Sequence, residues 1–210
     1  MGDQSLNYAI FQFVNQWAGQ YGWLDSVMVF FARDLVYVML AILAVLWISG
    51  RSVNQKGVFY ACLSAAIAIL VAGWIISPIV GHPRPFVEHT VHQLVPHDAD
   101  PSFPSDHTTF TFAIAFTVWL LLKRRMGAVM IVLACLTGIG RVFVGVHYPA
   151  DIAGGIILAL LSSMAVVKYR GFAEPVAKIC IGIYNKLTSR ISFLPAGDRA
   201  KVQSNDANLS

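Results

Sequence analysis

The chain is poor in charge. Only 12% of its 210 residues are Asp, Glu, Lys or Arg and 57% are hydrophobic, whereas an ordinary soluble domain carries about 25% charged residues. Several apolar runs reach or approach the roughly 20 residues needed to cross a bilayer. Together these exclude a soluble domain and point to a polytopic membrane protein. Cysteine is scarce as well. Cys62, Cys135 and Cys180 are scattered, form no metal-ligand spacing and read as packing residues. Acidic residues number 11 against 15 basic ones. That excess is no nucleic-acid signal, because most basic residues sit in short loops between apolar runs, where topology requires them. Met1 to Ser5 holds no basic residue, so no cleavable signal peptide is expected. No internal repeat is visible.

What is there predicts an all-α fold, a polytopic membrane helix bundle of five to six transmembrane helices. Residues 7–20 mix apolar and amide side chains, with Gly19, Gly22 and Asp25 interrupting, and read as an interfacial helix; the count becomes six if residues 6–26 also cross. Spans are expected at about 28–49, 58–80, 107–122, 126–146 and 152–167. Arg33-Asp34 reads as an interfacial ion pair, and Pro78 as a bend or end of the second span. Pro175 to Leu194 carries Ile179, Ile183, Leu187 and Ile191 at helical spacing beside Lys178, Lys186 and Arg190, and is expected to lie on the membrane surface. The final residues are polar and expected to be disordered. Residues 1–170 thus form a membrane-embedded domain, and 171–210 a cytoplasmic amphipathic helix and tail.

The basic loop at 51–56, the turn at 123–125 and the segment after 168 face the cytoplasm by the positive-inside rule. The connections at 81–106 and 141–151 then share the outer face. They hold three polar patches: G-H-P-R-P (Gly81 to Pro85), P-S-F-P-S-D-H (Pro101 to His107) and G-R-V-F-V-G-V-H-Y-P-A-D (Gly140 to Asp151). Ser105 reads as a helix cap, and the free N–H groups of a helix amino terminus suit a phosphate. His107 follows in the first turn. Arg84 is restricted by a proline on either side, so its planar fork is presented with little further entropy cost. Arg141 lies inside the outer end of a span, where an arginine is costly unless it lines a polar cavity or has a partner. Pro149 is placed to start the last span, with Asp151 in its first turn and His147 just before it. A carboxylate there can fix one imidazole nitrogen and leave the other as a nucleophile. Each residue taken alone also has a structural reading: a cap, a headgroup-bound loop arginine, an interfacial histidine. Such readings do not explain all six on one side.

Arg84-Pro85, Pro104-Ser105-Asp106-His107 and the R-x5-H-x3-D of Arg141, His147 and Asp151 resemble the three-part signature of the type 2 phosphatidic acid phosphatase superfamily, over about residues 25–170. H-P-R-P-F-V-E and F-P-S-D-H look most like its bacterial undecaprenyl-diphosphatase branch. Three positions depart from the family pattern: Ser77 where a lysine is frequent, Asp106 where glycine is usual, and Gly140 where serine is usual. The resemblance implies a lipid phosphatase domain in which Arg84, Ser105, Asp106 and Arg141 bind phosphate. It further implies that His147 is the nucleophile, Asp151 orients it, and His107 serves as acid and then base. It implies no cofactor and no metal; His89, His92, His97, Asp98 and Asp100 are too irregularly spaced for a built metal site. The implied substrate is undecaprenyl diphosphate or another polyprenyl diphosphate, cleaved at the outer face of the bacterial cytoplasmic membrane, with the bilayer as partner and no obligate protein partner. Phosphatidic acid, phosphatidylglycerophosphate or phosphate transfer to another lipid remain open. A non-enzymatic lipid carrier fits less well, since transporters place polar, broken helices at mid-membrane in repeated halves.

Overall fold

The structure, a computed structural model, describes residues 6–188; the expected disorder of the final residues lies outside them. The described residues form helices joined by short turns and one long loop. Helix α1 (Leu6–Asn15) is followed by α2 (Gly22–Ile48). Helix α3 begins as Ser52–Val71, continues through a π-helical turn at Ala72–Ile76 and ends with Ser77–Val80. The short α4 (Pro85–Glu88) lies in the long loop. Then come α5 (Asp106–Leu121), α6 (Arg124–Phe143) and α7 (Pro149–Thr188).

Four segments of the described chain are long and apolar enough to cross a membrane: Gly22–Ile48, Ser52–Glu88, Arg124–Phe143 and Pro149–Thr188. The span expected at 107–122 appears as α5, only 16 residues long, or about 24 Å at 1.5 Å per residue. It can be short because protein, not lipid, surrounds most of it. It packs against α3, α6 and α7, and Ala113, Ile114, Ala115 and Val118 are fully buried. Small side chains let the backbones approach: Ala61, Ala65 and Ala68 on α3, Ala134 on α6 and Ala159 on α7 are all buried. Hydroxyl groups cross-link the same helices. Ser64 Oγ lies 2.7 Å from Thr117 Oγ1 and donates to the Ala113 carbonyl at 3.1 Å or to that of its own turn. Ser163 donates to Ala113 O at 3.0 Å and Ser162 to Ser64 O at 2.8 Å. In a medium without water such bonds act between helices as they do in other membrane bundles.

Helix α1, expected as an interfacial helix, is 10 residues long and lies against the long loop and the end of α6. Buried Asn15 donates to the carbonyls of His92 (2.9 Å) and Phe143 (2.8 Å) and accepts from the His92 amide (3.1 Å). The helix expected from Pro175 forms the far part of α7, whose 40 residues are two helices meeting at a kink at Tyr169 (φ −101°, ψ 16°); Arg190, Ile191 and Leu194 of that expectation lie outside the described residues. Pro175 offers no N–H to the Gly171 carbonyl one turn earlier, which weakens the helix there. Beyond the kink α7 docks on the near ends of α2 and α3. Ala177 and Ile181 are buried, Tyr184 meets Trp47 edge-on at 5.7 Å, and Glu174 pairs with Lys56 at 2.5 Å. The apolar stripe of Ile179, Ile183 and Leu187 faces outward; it marks the outer face of a docked helix.

Gly140 has a packing reason. A Cβ there would lie 2.7 Å from the Ala32 backbone nitrogen. Ala32 sits in the π-helical turn Phe30–Asp34 of α2 and is fully buried, so α2 and α6 touch backbone to backbone at this point.

Candidate active site

The ends of α3, α5, α6 and α7 that bear the three polar patches lie together at one end of the bundle. His147 sits in the turn between α6 and α7. That turn reverses at Gly145 (φ +83°), where a Cβ would also lie 2.6 Å from the His92 carbonyl, so only glycine serves. The Leu94 amide donates to the Val144 carbonyl at 3.1 Å and ties the turn to the long loop.

Arg84 and His147 are buried and in direct contact. Arg84 Nη1 donates to the Val146 carbonyl at 3.0 Å and lies 3.2 Å from His147 Nε2. A guanidinium can only donate, so Nε2 accepts and the imidazole proton resides on Nδ1. Nδ1 faces Asp151 Oδ2 at 3.4 Å and Ser102 Oγ at 3.5 Å. The same Oδ2 accepts from the Tyr148 amide at 2.8 Å and closely from Ser102 Oγ. Asp151 is 1% exposed, and three donors converge on one of its oxygens. The geometry therefore leaves an unprotonated nitrogen, Nε2, beside a cation. Burial pushes the His147 pKa down; Asp151 pulls it back, and Arg141 and Arg84 press it lower, to about 4. The ring is a neutral base at ordinary pH.

Arg141 is 3% exposed, and its Nε and Nη2 find no hydrogen-bond partner among the described residues. A buried guanidinium with orphaned donors is costly, and an anion would satisfy it. Ser105 caps α5, its Oγ accepting from the Thr108 amide at 3.5 Å, while its own amide donates to the Asp151 carbonyl at 3.1 Å. The cap leaves the Ser105 hydroxyl hydrogen free to donate. His107 is half-buried in the first turn, close enough to Arg141, His147, His97 and Arg84 to feel their charges. Asp106 is exposed and feels Arg84, Asp100 and Arg141. Arg84, His147 and Asp151 are thus joined by contact, Ser105 by its backbone, and Arg141, Asp106 and His107 by proximity of charge.

The structure adds three residues. Asp100 accepts from Arg84 Nε through Oδ1 (3.0 Å) and through its carbonyl (3.1 Å). Burial opposes its charge, but the bond to Arg84 and the charges of Arg84 and His97 outweigh that and hold its carboxyl below the usual range. His97 Nδ1 lies 3.6 Å from Asp100 Oδ1, and its ring is 6.2 Å from that of His147; burial and then Arg84 and Arg141 lower its pKa. Ser102 is fully buried between His147 and Asp151. Its place in P-S-F-P-S-D-H was visible, but nothing in the spacing separates its role from that of Ser105. Among the described residues, no group of three or more His, Cys, Asp or Glu side chains could hold a metal ion.

Residues 57–174 match the PAP2 superfamily. The chain is 38% identical over 190 residues to undecaprenyl-diphosphatase BcrC of Bacillus subtilis, covering 90% of this chain and 97% of the relative. It is 34% identical over 164 residues to the putative undecaprenyl-diphosphatase YbjG of Escherichia coli, covering 77% and 81%. Among solved structures it resembles LpxE of Aquifex aeolicus, with a TM-score of 0.63 and 26% identity over 80% of this chain and 98% of that one.

Proposed function

The chain belongs to the PAP2 superfamily, and on that premise we propose that it removes the terminal phosphate of undecaprenyl diphosphate at the outer face of the bacterial cytoplasmic membrane, through a phosphohistidine on His147. A membrane lipid phosphatase is the coarser statement that the family and both relatives carry. Undecaprenyl diphosphate as substrate follows the names of those two relatives. The outer face follows from the basic loops at the opposite end of the bundle. The observation that carries the chemistry is the contact of His147 Nε2 with Arg84 Nη1 while Nδ1 faces Asp151.

In this reading Arg84, Arg141, the Ser105 hydroxyl and backbone amides at the start of α5, including that of Asp106, hold the terminal phosphate and stabilise charge on its oxygens during transfer. The Nε2 lone pair attacks phosphorus, and the bond from phosphorus to the bridging oxygen breaks. The bridging oxygen leaves with undecaprenyl phosphate, taking a proton from His107. The phosphorylated imidazole is cationic, and Asp151 stabilises it. His107 then takes a proton from water, whose oxygen attacks phosphorus; the P–N bond breaks and inorganic phosphate departs. The product would serve again as a carrier of cell-wall precursors.

The test is phosphate release by detergent-purified protein with EDTA present, offering undecaprenyl diphosphate, phosphatidic acid and phosphatidylglycerophosphate in parallel. Preferential release from the diphosphate, absent in His147→Ala, is expected. Equal or greater release from either of the other two lipids would overturn the substrate, and a His147→Ala variant that still turns over would overturn the nucleophile.

A further inference from the structure

At the end of the bundle opposite the candidate active site, a cavity of about 570 Å³ opens between the start of α3 and the far part of α7. Its walls carry Lys56, Lys168 and Arg170 against a single carboxylate, Glu174. Three cations against one anion leave an excess of two positive charges. Glu174 is already satisfied, by Lys56 Nζ at 2.5 Å and the Tyr60 hydroxyl at 2.6 Å. Lys168 rests over the Tyr169 ring at 5.2 Å. Arg170 has no carboxylate partner among the described residues.

The placement of Lys168 and Arg170 is the informative part. In a regular helix, residues two apart point about 200° away from each other. Here both line one cavity because Tyr169 between them is non-helical. The kink is braced from α3: the Tyr60 hydroxyl that donates to Glu174 also lies 3.3 Å from the Arg170 carbonyl. Gly171, on the α7 wall, leaves open space beside it, whereas Gly57 on the α3 wall receives the Leu122 side chain. A cavity of this size suits a small-molecule or headgroup ligand, and basic pockets between spans on the positively charged side suit phosphate-bearing lipids.

We propose that this cavity binds a phosphate group, that of an anionic phospholipid headgroup in the leaflet opposite the active site. The site shares no residue with the catalytic machinery and serves no step of it. Lys168 and Arg170 are exposed, so their removal leaves the fold intact.

The experiment measures the Tm of the full chain in mixed micelles containing phosphatidylglycerol or phosphatidylcholine, and in plain detergent with inorganic phosphate. Phosphatidylglycerol is expected to raise the Tm by about 2–4 °C and phosphatidylcholine to leave it unchanged. The rise should vanish in a Lys168→Ala/Arg170→Ala variant. It should persist in Arg84→Ala, which disables the candidate active site, and in Arg124→Ala/Arg125→Ala, which removes equal charge from the neighbouring turn. A rise with inorganic phosphate that the Lys168→Ala/Arg170→Ala variant also loses would support the phosphate site and make free phosphate its source. No rise with either ligand, a rise that survives in Lys168→Ala/Arg170→Ala, or equal loss in Arg124→Ala/Arg125→Ala would overturn the proposal.

Discussion

Replacing Asp151 by asparagine separates charge from geometry at this site. The Tyr148 amide, Ser102 Oγ and His147 Nδ1 all converge on Oδ2. An asparagine carbonyl oxygen in that place accepts the same three donors, so the imidazole tautomer survives and Nε2 still faces phosphorus. What is lost is one negative charge beside a ring that, in the proposed mechanism, becomes cationic as the P–N bond forms. Two unit charges at about 4 Å interact by about 4 kcal/mol at an effective dielectric of 20. Each 1.36 kcal/mol of barrier is a factor of ten, so Asp151→Asn should lower the rate of phosphoenzyme formation by about 10³-fold. Asp151→Ala should cost more, because it also orphans the Tyr148 amide and frees the ring to adopt the wrong tautomer. The assay is single-turnover release of undecaprenyl phosphate, which reports the first step alone, with KM measured beside it to confirm that binding persists. An Asp151→Asn rate within tenfold of the parent would refute the charge argument. An Asp151→Asn rate as low as that of His147→Ala would refute the argument that the asparagine preserves the tautomer.

Other outcomes follow from the same geometry. Ser102→Ala removes one of the three donors to Asp151 Oδ2 and should cost about 1 kcal/mol, read as a roughly five-fold fall in kcat with KM unchanged. Because His147 is held at about 4, the acidic limb of kcat/KM should fall as pH drops through about 4 rather than near 6.5. The same shift makes the unfolded chain bind its proton more tightly than the folded one. Stability should therefore be fully present above about pH 6.5 and lost as pH falls from there through about 4, checked by Tm against pH. Gly140→Ser forces a side chain against the Ala32 backbone and should destabilise by about 1–3 kcal/mol, seen as a lowered Tm in detergent. Turnover should persist in EDTA without added divalent cation, measured as phosphate release.

Short-range features were legible in the sequence. Ser105 caps α5 because a small hydroxyl residue preceding an apolar run does so, and Pro149 opens α7 because its missing N–H costs nothing there. Arg84, His147 and Asp151 were placed at one end of the bundle by counting spans and basic loops. Asp100 and Ser102 were not separated from other loop residues. Their partners lie 16 to 49 positions away, and no periodicity encodes such contacts. Asn15 looked like one amide in an interfacial helix, yet it bridges to residues 77 and 128 positions distant. The far part of α7 carries the helical stripe of Ile179, Ile183 and Leu187, but its docking on α2 and α3 was not legible, because Glu174 and Tyr184 meet Lys56 and Trp47 more than a hundred positions away. The 107–122 span looked short for a bilayer because it was judged against lipid, while its neighbours are other helices.

The His147 nitrogen proposed to attack phosphorus lies where α6 gives way to α7, at the rim of the bundle rather than in its middle. A lipid whose tail stays among other tails brings its headgroup to that level without leaving its leaflet. Encounter is then a search in two dimensions. The concentration that governs turnover is the mole fraction of substrate among its lipid neighbours, so diluting the membrane with inert lipid slows such an enzyme, while diluting the suspension with buffer does not.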